Sequence, residues 1–160
     1  MLTRTNTHGR QTGFTLIELM VTLVIAAIVL SIAVPSYQQQ IRKSRRTDAR
    51  NAVLDLAARE ERYLSTANVY SVTPSDLGYT GAWPITVGSG YYQVSVGNVN
   101  APNPAAVPPT VATFTVTATA IGTQLNDTTC RTFSVDQTGQ QSSTTSGGAL
   151  SVGIASTCWN

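Results

Sequence analysis

The feature that most constrains this chain is a long apolar stretch near its start. Residues 14–34, FTLIELMVTLVIAAIVLSIAV, run for 21 residues with only Thr15, Glu18, Thr22 and Ser31 as polar breaks. Coiled as an α-helix, such a run is about 30 Å long, the thickness of a bilayer's hydrocarbon core. The competing reading is a secretory signal peptide, whose apolar region is about 7–15 residues long and ends at a small-residue cleavage site. This run is longer, and no clear A-x-A site precedes Pro35. A membrane-spanning helix is the expectation.

Charge sharpens the layout. The 160 residues hold 10 Lys/Arg against 8 Asp/Glu, a formal +2, and only 11% are charged. An ordinary soluble domain carries about 25%. Thr (24) and Ser (14) fill the gap. A net +2 argues against a nucleic-acid binder built on bulk positive charge. A 42% apolar content argues against a disordered polyampholyte. The length allows one modest core rather than two full domains. Arg4 and Arg10 precede the apolar run; seven basic and four acidic residues crowd into 42–62; only Asp76, Asp127, Arg131 and Asp136 follow. The chain reads as an apolar span, a charged collar and a nearly neutral Ser/Thr-rich region.

Orientation across a membrane is ambiguous from charge alone. Arg42, Lys43, Arg45, Arg46 and Arg50 outnumber the two arginines before the span, which would place the C-terminal part in the cytoplasm. Cys130 and Cys158 show no metal-ligand spacing and point instead to a disulfide in an oxidising compartment. Glu18 adds a further constraint. A carboxylate at mid-membrane costs about 2.5–3.5 kcal/mol on insertion scales, and less near the interface.

The string TGFTLIELMVTLVIAAIVLSIAVPSYQ resembles the N-terminus of type IV pilins, with a short basic leader, Gly-Phe-Thr-Leu-Ile-Glu-Leu-Met, an apolar helix and Pro before Ser-Tyr. The resemblance implies that prepilin peptidase cuts between Gly13 and Phe14 and N-methylates Phe14. It also implies a cytoplasmic N-terminus and an outward globular part. Glu18 would then pair with the new α-ammonium of Phe14 or of a neighbouring subunit, which makes its burial tolerable. The implied partners are other pilin subunits, the peptidase, the inner-membrane assembly platform and, before assembly, the membrane. Pro35 should kink or loosen the helix, and the family's proline here marks a region that partly melts in the filament.

Beyond Pro35, Ala49, Ala52, Val53, Leu56 and Tyr63 recur at three- and four-residue steps, one apolar helical stripe. Arg42, Arg46, Arg50, Arg59 and Arg62 occupy the other faces, with Asp55 to Arg59 in the favourable i,i+4 order. One helix is expected over about 14–65. Residues 69–90 carry Pro74, Gly78, Gly81, Pro84, Gly88 and Gly90, and read as a long loop. Strands are expected at 91–96, 111–120 and 130–136, each alternating apolar and polar, with a Pro-rich loop at 100–109. A turn at 137–140 should start a fourth short strand near Gln141. The expected fold is α+β and pilin-like: a long N-terminal helix packed on a small antiparallel sheet. The divisions are 1–13 (leader), 14–34 (span and filament core), 35–65 (amphipathic half) and 66–160 (sheet domain). A Cys130–Cys158 bridge would pin the tail, contributing about 3–4 kcal/mol, and Trp159 would pack on the sheet.

Catalytic chemistry is hard to assemble from this inventory. The single histidine, His8, lies in the leader, so the mature chain lacks imidazole for a triad or zinc site. No calcium loop and no phosphate-binding loop is present in the sequence, and no cofactor or metal is expected. A DNA-binding stripe over 42–62 competes with a solvated face near anionic headgroups, and the nearly neutral remainder argues against nucleic acid as a partner. The ERYLSTANVY segment and the Cys-Trp ending resemble PilE-type minor pilins. The resemblance thus implies a non-enzymatic filament subunit, first in the inner membrane and then in an extracellular pilus for adhesion or twitching motility. A major pilin, a type II secretion pseudopilin and a DNA-binding competence pilin remain open as alternatives.

Overall fold

A computed structural model describes residues 13–146, 148 and 157–160. The expected leader, its arginines and His8, and the tail between Ser146 and Thr157 apart from Gly148, lie outside the described residues. The chain divides into two compact units, Met1–Gln39 and Gln40–Asn160. A single helix, α1 (Leu16–Ala67), contributes to both.

In the first unit, Thr15 accepts the backbone N–H of Glu18 at 3.3 Å, the N-cap interaction that starts a helix. Thr22 and Ser31 donate back to the carbonyls of Leu19 (2.9 Å) and Ile28 (2.7 Å). The hydroxyls of Thr15, Thr22 and Ser31 therefore bond within the helix, as a lipid environment favours. Pro35 lies inside the helix, which is continuous across it. Proline removes one backbone donor, and the helix continues across that single loss.

The second unit holds every buried residue of the described chain, so its core needs nothing from residues before Gln40. Its sheet is an antiparallel meander in the order β1-β2-β3-β4-β5: β1 (Ile85–Val87), β2 (Tyr92–Asn100), β3 (Thr113–Ala120), β4 (Thr132–Asp136) and β5 (Gln141–Thr144). The alternation places Tyr92, Val94, Phe114, Val116, Ala118, Phe133 and Val135 in the core. From the helix come Ala49, Val53, Leu56 and Ala57. Complete burial of a Val or Leu side chain contributes about 1.5–3 kcal/mol, which makes this stripe the principal hold of helix on sheet. The helix ends where Asn68 turns left-handed (φ 58°), its N–H bonded to Leu64 O at 2.8 Å.

Two boundaries differ from expectation for identifiable reasons. β1 lies within the stretch read as loop. It is a three-residue edge strand between Pro84 and Gly88, recruited by pairing with β2 (Ile85 with Val94, Val87 with Tyr92). β2 continues past Val96 through a register shift between Gly97 and Asn100, where Asn98 takes a positive φ of 52°. Asparagine tolerates that conformation, and the irregularity carries the strand onward as a bulge. The side chain of Asn100 then bonds Thr113 across the pair at 3.0 Å.

Candidate assembly site and basic collar

Three groups of residues bear on function: the apolar segment, the charged collar and the C-terminal clasp. In the apolar segment, Phe14 is 85% exposed, and Leu16, Ile17, Leu23, Ile28 and Ile32 are exposed likewise. An 18-residue window of the helix has mean hydropathy 2.7 with none of it buried. A patch this large on a water-soluble monomer would be anomalous; its ordinary solvents are lipid or other apolar helices. Gly13 stands just before it, with space on all sides. Glu18 lies in the first turn of α1, where a negative charge is favoured by the helix dipole. Pro35 lies inside the same helix.

The collar is not one solvated face. Arg46, expected in solvent, is part-buried and clamps Asp127, Nε to Oδ2 at 2.6 Å and Nη2 to Oδ1 at 2.8 Å. Asp127 is itself buried, and its Oδ1 also accepts the N–H groups of Thr129 and Cys130. Gln124, fully buried, directs its amide at Asp127 (3.2 Å), Tyr92 Oη (3.1 Å) and Arg42 O (3.3 Å). Burial pushes the Tyr92 hydroxyl up to about 12. Arg50 donates to Trp159 O at 2.7 Å. Arg59 pairs with Asp55 at 2.8 Å in the expected i,i+4 geometry and also donates to Leu77 O. Arg46, Arg50 and Arg59 thus tie the helix to its surroundings through part-buried hydrogen bonds.

The remaining bases differ. Arg42 donates to Asn126 O (3.2 Å), Arg45 to Thr123 Oγ1 (3.3 Å) and Arg131 to Leu125 O (2.6 Å), all at the surface. Arg45 also stacks on Tyr91, 3.4 Å from the ring centre. Among the described residues, the side-chain ion pairs are Arg46–Asp127 and Arg59–Asp55, so no aspartate or glutamate pairs with Arg42, Lys43, Arg45 or Arg131.

The clasp is covalent. Cys130 and Cys158 form a disulfide with Cα atoms 5.7 Å apart. Trp159 packs edge-on against Phe133 (5.6 Å) and donates Nε1 to Ser142 O. Sequence reasoning missed a second buried acid, Glu60. Its Oε2 accepts the N–H of Ser71 at 3.0 Å, while Oε1 has no partner. Burial raises its carboxyl above the usual range, with the charges of Glu61 and Asp76 adding to the shift. A lone Glu between Arg59 and Glu61 gives no sequence signal for this.

Comparison with known proteins agrees with this anatomy. Residues 35–134 match the family described as type IV minor pilin ComP, DNA uptake sequence receptor. Residues 8–34 match the prokaryotic N-terminal methylation motif. The chain is 54% identical over 39 residues to prepilin peptidase-dependent protein D of Escherichia coli (strain K12), covering 24% of this chain and 27% of that protein. Fimbrial protein Q of Moraxella bovis is 30% identical over 106 residues, 57% of this chain and 68% of its own length. A fimbrial protein of Pseudomonas aeruginosa is 36% identical over 92 residues, 54% and 59% respectively. The match to the Escherichia coli protein thus spans about a quarter of that protein's length, and the match to the Pseudomonas one well over half. The methylation motif on an exposed apolar helix, followed by a helix-backed antiparallel sheet and a C-terminal disulfide, fits a protein anchored in the inner membrane and then built into a pilus. On these grounds the chain belongs to the type IV pilin family.

Proposed function

We propose that this chain is a minor pilin, a structural subunit that helps initiate or prime a type IV pilus for adhesion or twitching motility. The observation that carries the reading is the unburied apolar helix over residues 14–34, which needs lipid before assembly and neighbouring pilin helices after it. Prepilin peptidase removes residues 1–13, cutting between Gly13 and Phe14, and methylates Phe14. Residues 14–34 then form the filament core, 35–65 the amphipathic half, and 66–160 the outer sheet domain. Glu18 sets the axial register through the terminal ammonium of a neighbour, and Pro35 supplies a point of helix adjustment. The inner-membrane assembly platform is the machine that loads the subunit. Deletion should reduce surface pili and twitching, and mass spectrometry of sheared filaments should find the chain at low abundance. Abundance equal to the main subunit would make it a major pilin, and a piliated but secretion-defective deletion would make it a pseudopilin. Gly13→Asp should abolish the peptide beginning at methylated Phe14; its persistence would refute the cleavage assignment.

DNA binding is the second reading, because the matching family is described by a DNA uptake sequence receptor. Against it, the charges of Arg46 and Arg59 are paired with Asp127 and Asp55. Retention of Gln40–Asn160 on DNA, lost at higher salt, would favour it.

A further inference from the structure

The turn Gly122–Asn126 is short, yet three distant arginines converge on it. Arg42 and Arg45 reach it from the helix, and Arg131 from the approach to β4, each donating one hydrogen bond to Asn126 O, Thr123 Oγ1 or Leu125 O. A guanidinium has five N–H donors, so Arg42 and Arg45 have several left to offer, whereas the Nε of Arg131 is buried without a partner. Lys43, exposed, lies next to Arg42 in the chain. The nearest strong acid in this turn, Asp127, is buried and held by Arg46. On this turn Leu125 is 42% exposed. The turn thus carries an exposed leucine and three bonded arginines that pair with no aspartate or glutamate.

An exposed leucine on a turn bonded by arginines fits a membrane surface better than a duplex. Aliphatic carbon enters the acyl boundary while the cations meet lipid phosphates. DNA offers phosphates too, yet gives an exposed leucine on a turn nothing to bury against. Tyr91 already has one ring face covered by Arg45, which leaves less of it for stacking on bases. The chain also supplies the surface: Arg42 follows Val34, the end of the apolar run, by eight residues.

We infer that the Gly122–Asn126 turn, with its exposed Leu125 and the bonded Arg42, Arg45 and Arg131, and with Lys43 beside Arg42 in the chain, docks on the anionic outer leaflet of the inner membrane before the subunit enters a filament. The inference rests on membrane anchoring and not on the minor-pilin assignment, so either can fail alone. Docking restrains the sheet domain on the membrane and is relinquished on extraction into the filament.

The test uses the unit Gln40–Asn160, which contains the whole buried core, in sedimentation with phosphatidylglycerol-containing or pure phosphatidylcholine vesicles. Binding is expected on the anionic vesicles, weakening with salt, with little on phosphatidylcholine. Lys43→Ala, at an exposed position without a described contact, should weaken binding about fivefold. Leu125→Ser should weaken it about tenfold without changing the charge. Leu125→Trp should show a blue-shifted emission on anionic vesicles and quenching by brominated lipid. Thermal melts of each variant confirm that it is folded. Equal pelleting with both vesicle types, no pelleting at low salt, or insensitivity to Leu125→Ser would each overturn the proposal. Retention on short duplex DNA that is unaffected by Leu125→Ser, with no vesicle binding, would assign the patch to nucleic acid instead.

Discussion

The Arg46–Asp127 clamp gives the most exposed prediction about how this fold is held. The Asp127 side chain is 2% exposed and that of Arg46 15%, joined by two short charged hydrogen bonds. Asp127→Asn is the informative perturbation. The amide oxygen can still accept from Thr129 and Cys130, but the NH2 group in place of Oδ2 faces the N–H donors of Arg46 and Gln124, so the charge opposite Arg46 and these two hydrogen bonds are lost together. Removing one partner of a buried pair leaves the other uncompensated and costs about 3–5 kcal/mol. Residual access of water to Arg46 argues for the lower end, about 3 kcal/mol. For a unit of this size that is a fall of about 12 °C in Tm. Arg46→Met, which strands Asp127, should cost a similar amount, and the double variant should cost clearly less than the sum. Urea unfolding of Gln40–Asn160 can follow Trp159, whose ring packs on Phe133 close to this cluster. If Asp127→Asn costs under 1 kcal/mol, or the two changes simply add, the clamp is a surface pair and the reasoning fails.

Other predictions follow from single features. Breaking Cys130–Cys158 by double alanine substitution, across a separation of 28 residues, should cost about 3–4 kcal/mol in the same assay. Glu60 holds its proton more tightly when folded, so the native state binds more protons and stability falls as pH rises from its unfolded value through its higher folded one. Glu60→Gln should therefore flatten that part of the profile and raise Tm at neutral pH; an unchanged profile would show that Glu60 is solvated. Gly88→Ala should destabilise by more than the about 1–2 kcal/mol of a left-handed alanine, because its Cβ would sit 2.9 Å from Asp48 Cβ. Gly139→Ala, with a φ of 77° and nothing within 4 Å, should cost only the conformational part.

The fold was legible where local pattern and tertiary demand coincide. The stripe Ala49, Val53, Leu56 needs only the 3.6-residue period, and Phe114, Val116, Ala118 only alternation; both are buried as expected. β1 was illegible because Ile-Thr-Val, three residues among prolines and glycines, carries no period of its own, and only β2 makes it a strand. The extension of β2 was hidden for a related reason. Gly97 and Asn98 read as a turn, and the bulge that lets the strand proceed is decided by pairing with β3.

The collar shows why composition stops short of function. Arg42, Arg46 and Arg50 recur at four-residue steps on one stripe of the helix, chemically identical and indistinguishable in the sequence. Their roles are set by residues about 80–110 positions away: Arg46 meets the carboxylate of Asp127, Arg50 the carbonyl of Trp159, and Arg42 the carbonyl of Asn126. A carboxylate partner consumes the charge, whereas a carbonyl takes one hydrogen bond and leaves the charge to act outward. That difference separates a clamp from a surface able to recognise phosphate. It also explains why this turn escaped notice: Leu125 is one exposed leucine in a polar loop until Arg42, Arg45 and Arg131 are seen to bond to its turn.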